Sequence, residues 1–264
     1  MKYPQIARLG PVLGVWAHPD DEAYLSGALM ALAGDAGSRV VCVTATRGEQ
    51  GTPDPVAWPP QRLAAERTVE LARCLDVLGV REHHWLGYAD GGGATADPGP
   101  VVERLCTLID QVRPRTVLTF GPDGITGHPD HQAVSRWTTA AFELAAPAGA
   151  RLLYAAVSDR HARRWAEFHE EADVYLDGYP VVVPLDDLAL DLVLDGEILA
   201  RKVAALREQR TQTDGIIRMM GLDRYSAWVD EETFVDARAS RPGEVPADRL
   251  TGCLESLSAA DHGC

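Results

Sequence analysis

Two short turns concentrate the residue types that hold metals and move protons: His18-Pro19-Asp20-Asp21-Glu22 near the start of a 264-residue chain, and His128-Pro129-Asp130-His131 near its middle. Zinc in a hydrolytic site keeps three nitrogen or oxygen ligands from the protein and leaves a fourth position for water. His18 and Asp21, three apart across a turn, can point into one cleft, and His131 is the candidate third ligand. Two imidazoles and one carboxylate leave a divalent ion net positive, which lowers the pKa of bound water towards neutrality. Adjacent side chains at the start of a helix diverge by roughly 100°, so Asp20 is free to act as general base where Asp21 binds the ion. His128 would lie beside the scissile carbonyl, positioned to stabilise an oxyanion or to pass a proton to the departing amine. The implied chemistry is metal-assisted amide hydrolysis with one Zn2+ per chain, another divalent metal being the alternative.

A plainer reading exists for each turn. Acidic residues suit a helix N-terminus, and a lone histidine is more often a loop or cap residue than a ligand. Two such turns, each following an apolar strand, are harder to dismiss together.

The elements that must position these turns can be read from hydrophobic pattern. Residues 12–17 form a short apolar run read as a buried strand that ends at the first turn, and residues 21–33 are helix-compatible up to Gly34. Residues 39–46, rich in valine and threonine, read as a second strand. Residues 61–78 carry Leu71, Cys74, Leu75 and Leu78 at helical spacing and close on Gly79, which suits a left-handed cap. A helix over 101–112 is stopped by Pro114, a strand over 116–120 follows, and 121–127 reads as a loop leading into the second turn. Residues 131–144 read as helix, 152–157 as strand and 197–209 as helix. This alternation predicts an α/β fold, a three-layer α/β/α arrangement around a mainly parallel sheet. Ligands bind such sheets outside the carboxyl ends of the strands, where both histidine turns fall. One domain over 1–264 is expected, its core at about 10–160, with 173–264 as a C-terminal extension that loses periodicity from 238 onwards. Residues 87–100, with the run Gly91-Gly92-Gly93, and residues 48–60, containing Trp58, are candidate lids.

Composition narrows the partners. With 46% hydrophobic and 24% charged residues the chain is ordinary globular protein, and a formal charge of −14 opposes binding to nucleic acid or an anionic membrane. No apolar run approaches the roughly 18 residues of a spanning helix, and no secretory leader pattern is visible, so a soluble protein is expected. Five cysteines (Cys42, Cys74, Cys106, Cys253 and Cys264) are odd in number and lack a CxxC, which fits a reducing, cytoplasmic setting. Cys264 is the one most open to oxidation. The pattern sets no oligomeric state.

At these residues the chain resembles the PIG-L/LmbE-like deacetylase family: Ala17-His18-Pro19-Asp20-Asp21-Glu22 is similar to its first motif and His128-Pro129-Asp130-His131 to its second. The resemblance covers about residues 10–160, and less distinctly 202–214. It implies a Rossmann-like zinc enzyme that deacylates N-acetylglucosamine-type groups on thiol, lipid or antibiotic carriers, so that the partner is a small amino-sugar conjugate. Carried over by motif, it makes His18, Asp21 and His131 the zinc ligands, Asp20 the base and His128 the oxyanion group. It further implies Arg47, Glu49, Arg67 and Asp90 as sugar-binding polar groups; the plainer alternative pairs Arg67 with Glu66 or Glu70 on a solvated helix face. Some members carry a tyrosine two residues before the second motif, where this chain has Thr126.

Other function classes leave distinct signatures. An amidase for a larger acyl group or a sugar-thiol conjugate would keep the metal and enlarge the pocket. A nucleotide-binding module needs a glycine-rich loop after the first strand, where this chain places carboxylates that repel a pyrophosphate. A catalytically dead zinc protein would close its site with four ligands and would not need Asp20.

Overall fold

The computed structural model describes residues 3–238. Its sheet is built from β1 (Val12–Trp16), β2 (Val40–Thr44), β3 (Glu82–Trp85), β4 (Thr116–Phe120), β5 (Arg151–Ser158), β6 (Val182–Val183), β7 (Leu190–Val193) and β8 (Glu231–Asp236). The order across it is β3-β2-β1-β4-β5-β8-β7, with β6 paired to β5 off this path. β1, β2 and β4 are buried along their whole length, which is why they read as continuous apolar runs.

β1 pairs in parallel with both β2 and β4, Val12 lying opposite Val40 on one side and Thr116 on the other. The chain winds outward from β1 through β2 to β3, then returns to place β4 and β5 on the opposite side. The β1/β4 boundary is therefore a topological switch point, where the loops leaving neighbouring strands diverge and leave a crevice. Both histidine turns open into it.

The helices are α1 (Asp21–Asp35), α2 (Pro60–Leu78), α3 (Pro98–Val112), α4 (Gly124–Gly127), α5 (Pro129–Ala145), α6 (Asp159–Glu171), α7 (Gly196–Glu208), α8 (Arg210–Met220) and α9 (Leu222–Trp228). α1, α2 and α7 pack together, and α3 packs on α5. Reversing the winding direction after β3 moves the crossovers to the other face, because parallel crossovers are right-handed. The result is the expected three-layer α/β/α arrangement. Gly79 closes α2 at φ 77°, as its type predicts.

Within the expected C-terminal extension, residues 173–238 join the same sheet: β8 runs antiparallel to both β5 and β7, and α7 completes a helical layer. β3 was not foreseen, because Glu82-His83-His84-Trp85 is a polar, half-buried edge strand with no apolar alternation. The segment 121–127 ends in the single turn α4. The residues after Arg238, expected to lack periodicity and including Cys253 and Cys264, lie outside the described residues. Among the described residues no helix is long and apolar enough to cross a membrane, and Cys42, Cys74 and Cys106 are free thiols.

A buried ion pair ties this C-terminal half to α1. Lys202 of α7 and Glu232 of β8 are fully buried and meet at 2.9 Å. The Lys202 ammonium also donates to the Tyr24 carbonyl at 2.7 Å, and Glu232 accepts from the Ala28 and Leu29 amides at 2.7 and 2.8 Å. Each charge thus has several partners, which such burial requires. Lys202→Met strands the Glu232 carboxylate and is expected to lower stability by about 3–5 kcal/mol in urea denaturation. An unchanged midpoint would show the pair to be dispensable.

Candidate functional site

The first turn leaves β1 and enters α1 through Asp20, whose φ of 111° lies in a region that residues with a Cβ rarely adopt. The conformation is held from both sides. The Glu22 carboxylate accepts the Asp20 N–H at 3.0 Å, and the Ala23 and Tyr24 amides donate to the Asp20 carbonyl at 3.0 Å. Glu22 is itself fully buried and gripped by the Gln209 amide at 2.6 Å. Burial, with the neighbouring Asp20 charge, pushes the Glu22 carboxyl up to about 8. The Asp20 side chain makes no capping bond to α1, so helix capping does not account for it.

The second turn leaves β4 and bends at Ile125, a β-branched residue at φ 63° and ψ −65° whose amide donates to Asp123 at 3.1 Å. This bend presents the Gly124 carbonyl to His131 Nδ1 at 3.0 Å. Nδ1–H donates there, which leaves the Nε2 lone pair of His131 facing the crevice. The ring stacks on Phe120 with centroids 4.2 Å apart. His128 caps α5, its Nδ1 accepting the Asp130 N–H at 3.2 Å, so the neutral ring carries its proton on Nε2.

The two turns meet where His18 Nδ1 lies 3.2 Å from His131 Nε2. The Asp21 carboxylate spans both, one oxygen 3.6 Å from His18 Nδ1 and the other 3.4 Å from His131 Nε2. On its far side, His18 Nε2 faces Asp90 at 3.1 Å and Asp130 at 3.3 Å. Those carboxylates are anchored in turn: Asp130 accepts the Gly91 and Gly93 amides at 2.7 and 2.8 Å, and Asp90 accepts the Gln50 amide at 2.8 Å. A Cβ on Gly93 would sit 2.8 Å from an Asp130 oxygen and 2.9 Å from Ala133. The glycine run therefore permits close approach, and the segment expected to be a lid is pinned at Gly91 and Gly93.

Electrostatics follow from this packing. Burial disfavours a charged His18, yet Asp130, Asp21 and Asp90 together raise its pKa well above the usual imidazole value. His131 is pushed down to about 4, chiefly by burial. Burial opposes ionisation of Asp21, but His131 and His18 hold it below the ordinary carboxylate range. Asp20 goes the other way, raised to about 7 by burial against the pull of Arg67. Ligand atoms of His18, His128 and His131 lie within 4.8 Å of one another, as do those of His18, Asp90 and Asp130. The cluster could hold a metal ion.

A cavity of about 580 Å³ opens onto it, lined by Asp20, Arg67, Asp90 and His128 as well as His18, Asp21 and His131. Arg67 is 3% exposed; it donates to the Gly48 carbonyl at 2.8 Å and to the Pro19 carbonyl, and its guanidinium is 3.4 Å from Asp20. That burial overturns the alternative of a solvated pairing with Glu66 or Glu70. Arg47 and Glu49 line a separate depression. Arg47 donates to Thr68 at 2.6 Å and lies over the Trp85 ring, while Glu49 accepts the Asp90 amide at 3.0 Å. Trp58 lies under Arg62 and does not line the main cavity, although Gln50 and Gly51 do. Asp130, Glu22 and Gln209 were given no role by sequence reasoning. The first two stood inside the quoted turns and could have been found there; Gln209 carried no signal. Thr126, 3.3 Å from His131 Nδ1, borders the site.

Comparison with known proteins places this geometry in context. The family described as PIG-L, GlcNAc-PI de-N-acetylase, matches residues 13–142, which contain both turns. A 1D-myo-inositol 2-acetamido-2-deoxy-alpha-D-glucopyranoside deacetylase of Kineococcus radiotolerans is 35% identical over 246 residues, covering 76% of this chain and 68% of that protein. The enzyme of the same name from Saccharomonospora viridis is 36% identical over 234 residues, covering 76% and 84%. The solved N,N'-diacetylchitobiose deacetylase of Pyrococcus horikoshii shares the fold, with a TM-score of 0.61 at 19% identity over 94% of this chain and 91% of that one. With relatives more than a third identical along most of their length, and both histidine turns inside the matched segment, the chain belongs to the PIG-L family.

Proposed function

We propose that this protein hydrolyses the amide of an N-acetylated amino-sugar conjugate, with one zinc ion held by His18 Nδ1, His131 Nε2 and the Asp21 carboxylate. The observation that carries the reading is the pinning of both imidazoles on their far sides, His18 by Asp90 and Asp130 and His131 by the Gly124 carbonyl, so that both lone pairs converge on Asp21. Such outer partners fix the tautomer of metal-binding histidines. His128 fits a ligand role less well, because its Nδ1 is committed to the Asp130 amide. Asp90 and Asp130 meet His18 through Nε2, on the side away from His131, which suits second-layer partners.

When bound, the ion supplies Lewis acidity to a carbonyl oxygen and a lowered pKa to a water. The protein's own groups do the rest. Asp20 takes a proton as water adds to the amide carbon, and His128 donates its Nε2–H to the oxygen that becomes negative. Asp20 then returns the proton to the amine nitrogen as the C–N bond breaks, which leaves a carboxylic acid and a free amine; the acid's proton then passes to the amine, giving carboxylate and ammonium. Arg67 orients Asp20 and moderates its basicity.

Two refinements complete the reading. The substrate class follows the relatives' names, a glucosaminide of inositol being one such conjugate. The buried free thiols Cys42 and Cys74 suit a reducing, cytoplasmic setting.

Zinc-loaded protein assayed for free amine against N-acetylglucosamine carried on thiol, lipid, inositol and antibiotic aglycones should release amine from at least one. Inertness towards all of them would end the proposal. Arg67 also gives a pH prediction. Its charge lowers the Asp20 pKa, so Arg67→Met should raise it further above about 7 and move the acidic limb of the pH–rate profile in the alkaline direction. An unmoved limb would separate Arg67 from the base.

A further inference from the structure

The cavity is larger than removal of an acetyl group requires, and its two ends differ in chemistry. Sheet order fixes how they lie. Arg67, Gln50 and Gln212 line the end near the loops that follow β2 and β3, Gln212 donating to the Gly51 carbonyl at 3.1 Å. The histidine turns leave β1 and β4 in the middle. Beyond them, over β5 and β8, the wall is formed by Ile125, Ala156, Val157, Val174, Tyr175 and Trp228.

Most polar side chains at this second end spend their polar atoms within the protein, the exception being His161, whose buried Nδ1 has no hydrogen-bond partner among the described residues. Ser158 donates to Glu231 at 2.9 Å, and Glu231 also binds Arg160 at 2.7 Å. Thr233 donates to the Ala156 carbonyl at 2.7 Å, Glu232 is neutralised by Lys202, and the Trp228 ring N–H donates to His169 at 3.1 Å. Burial lowers His161 to about 4, so it is uncharged at neutral pH. What remains facing the void is mostly carbon.

An amide lying across the histidine turns has one polyhydroxylated side and one acyl side. Sugar hydroxyls match the arginine and amide end, which directs the acyl carbon towards β5 and β8. An acetyl group ends there in one methyl, close in size to a water molecule at about 30 Å³. We infer that the apolar half of the cavity is an acyl-chain pocket, which takes the linear hydrocarbon of an N-acyl amino sugar several carbons longer than acetyl. The inference rests on the amide-hydrolase reading given above and names its acyl specificity.

The test uses zinc-loaded protein and methyl glucosaminides N-acylated with acetyl, butanoyl, hexanoyl and octanoyl groups, followed by amine release. A buried methylene is worth at most about fourfold in affinity, so kcat/KM is expected to rise by on the order of tenfold or more from acetyl to hexanoyl. Ala172 also lines this end, and Ala172→Phe and Val174→Phe narrow it and should flatten the rise, with circular dichroism and zinc content reporting that each variant is folded. A steady fall from acetyl onwards, or a gain confined to N-acetylglucosamine with an octyl aglycone, would overturn the inference. Octanoate binding by calorimetry separates the pocket from the reaction. If octanoate binds, and the two phenylalanine variants lose that binding while no amide is cleaved, the pocket stands and the hydrolase reading fails. If octanoate does not bind, the pocket is wrong.

Discussion

Replacing His131 by alanine is expected to strip the protein of bound metal and of turnover, whereas His128→Ala is expected to keep the metal and lower kcat by about 10²–10³-fold. The two histidines are three residues apart and their rings lie 5.0 Å from each other, so proximity does not distinguish them. Their hydrogen bonds do. His131 gives Nδ1–H to Gly124 and turns Nε2 towards His18 and Asp21. His128 spends Nδ1 on the Asp130 amide and keeps Nε2–H as a donor, the form an oxyanion group needs. Its pKa is lowered by burial and by His18, which keeps the ring neutral at pH 7. Loss of an outer partner costs a metal site about 10–100-fold in affinity, and loss of a ligand should cost more. Metal analysis of each variant beside its kcat checks the division. Equal metal loss in both would mean that the roles are wrongly assigned.

Asp20→Asn should leave metal content unchanged and lower kcat by about 10²–10⁴-fold, or roughly 3–5.5 kcal/mol of barrier. Asparagine keeps the size of the side chain and, like aspartate, is enriched at positive φ, so the turn held by Glu22 survives. What disappears is the base. Ionisation of Asp20 is disfavoured by burial and by Asp21 but assisted by Arg67, which leaves its pKa at about 7, where a general base works at neutral pH. Metal loss in Asp20→Asn would instead make Asp20 a ligand.

The sequence made the catalytic half of the fold legible because β1, β2 and β4 are buried on both faces and read as unbroken apolar runs that end at the two turns. β3 escaped because an edge strand needs no apolar face, and β7 and β8 escaped because their antiparallel pairing breaks the strand–helix alternation that organised the rest. Within the site, residue type pointed to His18, Asp21 and His131, but only the fold shows what stands behind them. Asp90, expected to contact sugar, lines the cavity, and its carboxylate also meets His18 and accepts the Gln50 amide. For Arg67 the resemblance implied a sugar-binding group and local charge pattern offered the alternative of a solvated helix face; its burial beside Asp20 depends on Gly48 and Pro19 arriving from two other loops. Charge pattern along a helix does not encode what the rest of the chain lays against it.

The C-terminal half contributes to the site through packing. Gln209 holds Glu22, which holds the Asp20 peptide, and the Lys202–Glu232 pair anchors α1 a turn beyond. Residues distant in sequence thereby stabilise the positive-φ turn that carries Asp20.

Titration of metal-free protein with zinc, while amine release from an N-acetylglucosamine conjugate is followed, tests the central claim most directly. The account predicts no turnover at the start, a linear rise to one equivalent of zinc per chain, and no further gain beyond it. Full turnover without metal, or a rise that first plateaus at two equivalents, would contradict it.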